Sequence, residues 1–173
     1  MRKDKGFTLL ETMVVIAIVG IVSAVAIPNY MSWVSDNRMK AAVRDLKSNM
    51  NMAKLRAIRE NATVAVVFRI ATNSYEIFVD NGAGGGIASN GIRDGGEALL
   101  QSATLPAGVT MREVVFNAAT RCSFNGSGLP TDPGHVYMEN TKHNFRGISL
   151  SMVGTVRIQT STTLGGPWEN VDQ

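Results

Sequence analysis

The segment Phe7–Ile27, FTLLETMVVIAIVGIVSAVAI, runs for 21 residues with a single charge, Glu11. A helix rises ~1.5 Å per residue, so a stretch of this length crosses a hydrocarbon core of ~30 Å. It is too long for the apolar region of a secretory signal peptide, and a basic flank, Arg2, Lys3 and Lys5, precedes it. By the positive-inside rule that flank stays cytoplasmic and the C-terminal bulk crosses the membrane. Hydropathy alone describes a simple single-pass anchor.

Glu11 does not fit a simple anchor. A carboxylate inside a spanning helix costs roughly 2.5–3.5 kcal/mol on insertion scales, so an intramembrane acid is by default a functional residue. Composition narrows the remaining chemistry. Of 173 residues, 45% are hydrophobic and 18% charged, which supports a packed core and argues against disorder throughout. One cysteine, Cys122, excludes an internal disulfide framework and a four-cysteine zinc site. Two histidines, His135 and His143, make a dense histidine metal site improbable. The net charge of +3 is uneven: residues 36–60 carry seven Lys/Arg against three Asp/Glu, and residues 61–173 seven against nine. The mildly acidic C-terminal part argues against a broad nucleic-acid face.

Beyond Pro28 a 3- and 4-residue spacing continues through Tyr30, Trp33, Val34, Val43, Leu46, Met50, Ala53 and Ala57. The pattern predicts one helix from about Phe7 to Arg59, kinked near Pro28, where proline removes a backbone bond. Its N-terminal half is apolar all round and its C-terminal half amphipathic. After Glu60 the period changes to two. Strands are expected at Val64–Ile70, Tyr75–Val79, Leu99–Leu105, Val109–Phe116, His135–Glu139, Ile148–Met152 and Thr155–Gln159. The segment 71–74 should turn the first hairpin, and Gly154 the last. Seven glycines in Gly82–Gly96 lack a Gly-Lys-Ser/Thr ending, so they form no phosphate loop and read as a flexible exposed connection. Asp80, Asn81, Asn90 and Asp94 around it read as polar turn residues rather than calcium ligands. No motif supports Cys122 with His135 or His143 as a catalytic set, and Cys122 reads as a small core residue.

Lys5-Gly6-Phe7-Thr8-Leu9-Leu10-Glu11 resembles the signal of type IV prepilins. The resemblance implies cleavage by a prepilin peptidase after Gly6 and N-methylation of the new first residue, Phe7. It makes Glu11, the fifth mature residue, an assembly contact: the carboxylate meets the Phe7 ammonium of a neighbouring subunit, and the pair offsets desolvation in an apolar filament core. Asp45-Leu46 through Ala57-Ile58 to Asn61 and Val64-Ala65-Val66 resembles the helix-to-strand junction of the GspH/FimT (FimU-like) minor pilins and pseudopilins. Asp94-Gly95-Gly96-Glu97, Val115-Phe116, Phe124-Asn125-Gly126 and Gly154-Thr155-Val156-Arg157 echo later strands of that family.

The expected fold is therefore α+β, the type IV pilin fold, with a long N-terminal helix packed on a β-rich head. The expected organisation is a cleaved leader at 1–6, a membrane and filament-core segment at 7–27, an amphipathic segment at 28–60 and a globular head at 61–173. The implied function is structural and non-catalytic: a minor pilin or pseudopilin that initiates or caps a type IV pilus, with no cofactor and no metal. Implied partners are the prepilin peptidase, other minor and major pilins or pseudopilins, and the inner membrane before assembly, with the head on the periplasmic side. Two alternatives stay open. One is a GspH-like pseudopilin of a type II secretion system. The other is a FimT-like DNA-binding pilin, which uses a Gly-Arg-x-Arg stretch; here Gly154-Thr155-Val156-Arg157 lacks the first arginine, and the acidic tail Trp168–Gln173 argues against DNA.

Overall fold

The computed structural model describes residues 8–117 and 119–171. One helix, α1, spans Leu9–Glu60. The chain falls into two compact units, divided between Val34 and Ser35.

Within the second unit, α1 presents Met39, Ala42, Val43, Leu46, Met50, Ala53 and Ala57 as one buried stripe, spaced at three and four as an amphipathic helix requires. Asn61 ends the helix. It sits in the left-handed region at φ 47°. The Ala62 amide donates to the Ala57 carbonyl at 3.2 Å and the Asn61 amide to the Ile58 carbonyl at 3.3 Å. This pair of bonds is the Schellman arrangement, which satisfies carbonyls that a helix end leaves open.

Two antiparallel sheets follow. The first has order β3-β2-β1-β5, built from β1 (Val64–Arg69), β2 (Ser74–Val79), β3 (Leu99–Thr104) and β5 (Arg121–Phe124). The second has order β4-β6-β7-β8-β9, built from β4 (Val109–Phe116), β6 (Gly134–Asn140), β7 (Phe145–Leu150), β8 (Val156–Ser161) and β9 (Glu169–Asn170). Alternation along the strands sends Val64, Val66, Phe68, Val136, Met138 and Ile148 into one hydrophobic cluster with the helix stripe. Phe68 stacks on Phe116 across that core, ring centroids 5.6 Å apart. In the second sheet Gly147 lies opposite Tyr137. A side chain at Gly147 would come within 2.6 Å of the Tyr137 ring and 2.0 Å of the Val136 carbonyl, so the pair needs glycine.

The long helix and the antiparallel head agree with the expected α+β class. Most strands stand where the alternation put them, and β4 has the expected bounds. The expected strand Ile148–Met152 is displaced. Observed β7 starts at Phe145 and ends at Leu150, because Ser151 to Thr155 close the hairpin through Gly154. The segment 71–74 is not a simple turn: a 3-10 turn, Ile70–Thr72, leads into Asn73 at φ 48°. Strands β5 and β9 were not expected. Four residues and two residues are too short to show a period. Pro28 lies inside α1, which continues on both sides of it.

The glycine-rich segment corrects the expectation of a flexible connection. Asp80 is 1% exposed and Glu97 5% exposed. Asp80 accepts from the Asn90 and Gly91 amides at 3.3 and 2.7 Å. Glu97 accepts from the Gly82 and Asp94 amides at 2.9 and 3.1 Å. Asp94 accepts from the Ile87 amide and the Asn90 side chain. The glycines serve this tight folding: Gly84 has φ +68°, and an added Cβ there would come within 2.5 Å of the Gly96 nitrogen. The expected polar turn chemistry of Asp80, Asn81, Asn90 and Asp94 is what these bonds display, with Asn81 accepting from the Ala83 amide.

Candidate assembly segment and its grip on the head

Gly6 and Phe7, the expected cleavage and methylation positions, lie outside the described residues. The described part of the segment opens with Thr8 and Glu11. The Glu11 amide donates to Thr8 Oγ1 at 3.2 Å, and the Thr8 amide points back at a Glu11 carboxylate oxygen 3.5 Å away. This is the capping-box relation, in which Ser/Thr and Glu three residues apart satisfy each other's open amides. The spacing Thr-x-x-Glu was legible in the sequence, but Thr8 was not singled out. The two arms differ in strength. At 3.5 Å the carboxylate arm is at the weak limit of a hydrogen bond, so Glu11 keeps most of its capacity to accept a stronger donor. Its position at the helix N-terminus also favours a negative charge.

From Leu9 to Trp33 the large apolar side chains are exposed, Leu9 79% and Ile21 70%; Tyr30 and Trp33 pack only on each other, ring centroids 6.1 Å apart. This part of α1 is long and apolar enough to cross a membrane. Next to Pro28, the Asn29 side chain donates to the Val25 carbonyl at 3.1 Å.

Residues 35–60 are held to the head by polar contacts along their length. Ser35 and Thr141 hydroxyls meet at 2.8 Å. Lys142 pairs with Asp36 at 2.9 Å, and the Asn140 side chain donates to the same carboxylate at 2.8 Å. The Lys142 hydrogen bond holds the Asp36 pKa below the ordinary carboxylate value, against a smaller effect of burial. Asn49 donates to the Tyr75 hydroxyl at 2.8 Å, and Lys54 donates to the Gly154 carbonyl at 3.1 Å. Sequence reading missed Asp36, because its partners lie more than 100 residues away and leave no local pattern.

Beside this junction Glu139, 5% exposed, takes hydrogen bonds from His143 and Arg112. Burial raises its pKa, but the His143 bond and the attraction and bond of Arg112 outweigh it, so the pKa stands below the ordinary value. The cysteine and the two histidines do not form a catalytic set. Cys122 is buried at 1% exposure in the first sheet, as expected of a small core residue, and burial pushes its thiol pKa far up. A thiol held protonated is a poor nucleophile. His143 faces Glu139 from a turn, and His135 lies 3.8 Å from Glu113 on the second sheet. Among the described residues no group of three or more His, Cys, Asp and Glu is placed to hold a metal ion.

Comparison with known proteins fits both units. The prokaryotic N-terminal methylation motif matches residues 1–27, and the family model for the type II transport protein GspH matches residues 42–161. A fimbrial protein of Pseudomonas aeruginosa is 35% identical over 77 residues, 44% of this chain and 49% of its own length. The pilin-like protein PilA1 of Thermus thermophilus is 38% identical over 82 residues, 46% of this chain and 50% of its own. The chain thus spans about half the length of the curated relatives it matches. Among solved structures, the minor pseudopilin EpsH from the type 2 secretion system of Vibrio cholerae has a TM-score of 0.53 at 14% identity, covering 70% of this chain and 95% of that one. The type IV minor pilin FimU of Pseudomonas aeruginosa has a TM-score of 0.52 at 15% identity, covering 72% and 90%. These two likenesses show a shared fold. With a prepilin-type N-terminus, a head that grips the C-terminal part of α1, and the GspH model matching most of the chain, this protein belongs to the GspH/FimT family of type IV pilin-like minor pilins and pseudopilins.

Proposed function

We propose that this chain is a minor pilin that initiates or caps a type IV pilus, acting as a structural subunit without catalysis of its own. The observation that carries the reading is the apolar segment 8–34, exposed throughout except at Ser23, Ser32 and Val34, with one weakly held carboxylate at its start. Such a surface needs lipid first and neighbouring subunits afterwards. Cleavage between Gly6 and Phe7 exposes an ammonium at Phe7, and the ammonium of a neighbouring subunit is the partner proposed for Glu11. N-methylation of Phe7 keeps that charge. The inner membrane holds the precursor with its head on the periplasmic side, and the prepilin peptidase and other pilins are the partners. Pro28 is the proposed point of bending, where the missing amide leaves the Ala24 carbonyl without its usual helical donor. The division at residue 61 between helix and head is part of the same proposal.

A pseudopilin of a type II secretion system is the second reading, favoured by the GspH family match. Fimbrial relatives that match up to about half of the chain, and the Pro28-Asn29-Tyr30 run, favour the pilus.

The test separates the two roles of Glu11. Glutamine at the third helical position can still form a capping box but carries no charge. Glu11→Gln should leave membrane insertion and cleavage intact and still lower the share of processed protein in sheared filaments, because losing one partner of a buried pair costs ~3–5 kcal/mol. Thr8→Val, which removes the cap and keeps the charge, should lower it far less. Wild-type incorporation of Glu11→Gln at equal membrane abundance would limit Glu11 to capping its own helix.

A further inference from the structure

The outer face of the first sheet carries an open cavity of about 630 Å³. Its floor is Val67 of β1, with Arg121 of β5 directly opposite on one side and Glu76 of β2 on the other. Arg69 and Thr120 extend the floor, and the glycine-rich loop brings Gly91, Ile92 and Arg93 to the wall. The wall is built rather than incidental. Buried Asp80 fixes the Gly91 amide at 2.7 Å. That seats Gly91 so close to the Arg121 side chain that an added Cβ would come within 2.6 Å of its Cδ and Nε.

The charges in this cavity are not balanced. Glu76 is taken by Arg69, 2.5 Å away. Elsewhere Arg56, Arg59, Arg112 and Lys142 each have a carboxylate within reach, while Lys40, Arg44, Lys47, Arg146 and Arg157 stand on the surface without one among the described residues; what sets this cavity apart is two such arginines lining one recess. Arg93 and Arg121 have no carboxylate or carbonyl partner among the described residues. Two guanidinium groups, with Val67 and Ile92 as the large apolar side chains of the lining, suit a carboxylate on a short apolar stem. A polyphosphate chain suits it poorly. Nucleic-acid affinity grows with the number of phosphates neutralised, and here three arginines, one of them paired with Glu76, stand on a C-terminal part that carries nine acidic residues against seven basic ones.

We infer that this cavity receives an Asp- or Glu-bearing segment of a neighbouring pilin-type subunit, with Arg93 and Arg121 holding the carboxylate and Val67 and Ile92 packing on its stem. The inference rests on the pilin reading above and adds a second contact, on the head, to the one at Glu11. Charged groups arranged this way select a partner and fix its register more than they add affinity.

The experiment uses the full chain in cells that assemble filaments. A photo-crosslinking amino acid replaces Ile92 at the cavity mouth, and the captured peptide is identified by mass spectrometry. Processing and filament incorporation are followed in parallel. The expected result is a crosslink to an acidic peptide of another pilin-type subunit, falling about tenfold when Arg93→Gln and Arg121→Gln are combined. Lysine at both positions, which keeps the charge and loses the fork, should recover part of it. A crosslink unchanged by the double glutamine variant, no crosslink in normally incorporated protein, or capture of nucleic acid would overturn the assignment and leave the pilin reading standing. If the unaltered chain is neither processed nor incorporated, the pilin reading fails and this contact falls with it.

Discussion

One helix, α1, behaves as two different objects. In residues 9–33 its large apolar side chains are mostly more than half exposed; in residues 39–57 seven side chains on one stripe are 5% exposed or less. The helical backbone is continuous across both. What differs is the pattern: apolar on every side in the first, apolar on a single stripe in the second. A stripe finds its partners inside the same chain, here the two sheets of the head. An all-round apolar surface cannot be covered by a single face of a neighbour, so its stability must come from lipid or from other subunits.

The largest effect should come from separating the two. Removing residues 1–34 should yield a soluble, cooperatively folded head, whereas the full chain requires detergent. Aggregation of the truncated head under all conditions, with the full chain well behaved in detergent, would break the comparison.

Matched substitutions on the two halves come next. Leu46 is 0% exposed, so Leu46→Ala should destabilise the head by about 2–5 kcal/mol. Ile16 is 67% exposed, so Ile16→Ala should change head unfolding by less than about 0.5 kcal/mol. Denaturant melts of both variants in detergent would measure this. Equal costs would mean that the head depends on the apolar half.

A smaller effect concerns acid. Asp36 and Glu139 both have pKa values below the ordinary carboxylate range. Their contribution is therefore fully present above the unfolded values, about 4, and is lost as pH falls through the lowered folded values. The head should lose stability below pH ~4 by this route. Glu139→Gln should cost about 1 kcal/mol at neutral pH and reduce the acid sensitivity. Thermal melts from pH 7 to pH 3 would show it. A variant with the wild-type slope would mean that Glu139 does not contribute to it.

The halves were also unequally legible in the sequence. The apolar segment and the helix stripe are local periodic patterns, so α1 and most strands could be placed from spacing alone. Strands β5 and β9 could not, because pairing with β1 and β8 selects them and two to four residues carry no period. The glycine-rich segment misled for a related reason. Seven glycines suggest freedom, but Asp80 and Glu97 are buried and bind its amides, and nothing local marks an acidic residue as buried. At the candidate site, Glu11 stood out as the one charge in its surroundings. Thr8 was readable as its capping partner and was passed over. The Asp36–Lys142 link and the Arg93–Arg121 pair join residues distant in the chain, and only folding brings them together.

If the exposed apolar half is a processed pilin N-terminus built for assembly, the assembled chain starts at Phe7. The most direct test is mass spectrometry of the N-terminal peptide of this protein from sheared filaments. The expected peptide begins at Phe7 and carries one N-methyl group, in a chain recovered with other pilins. An assembled chain that still begins at Met1, or is cut anywhere other than between Gly6 and Phe7, would contradict it.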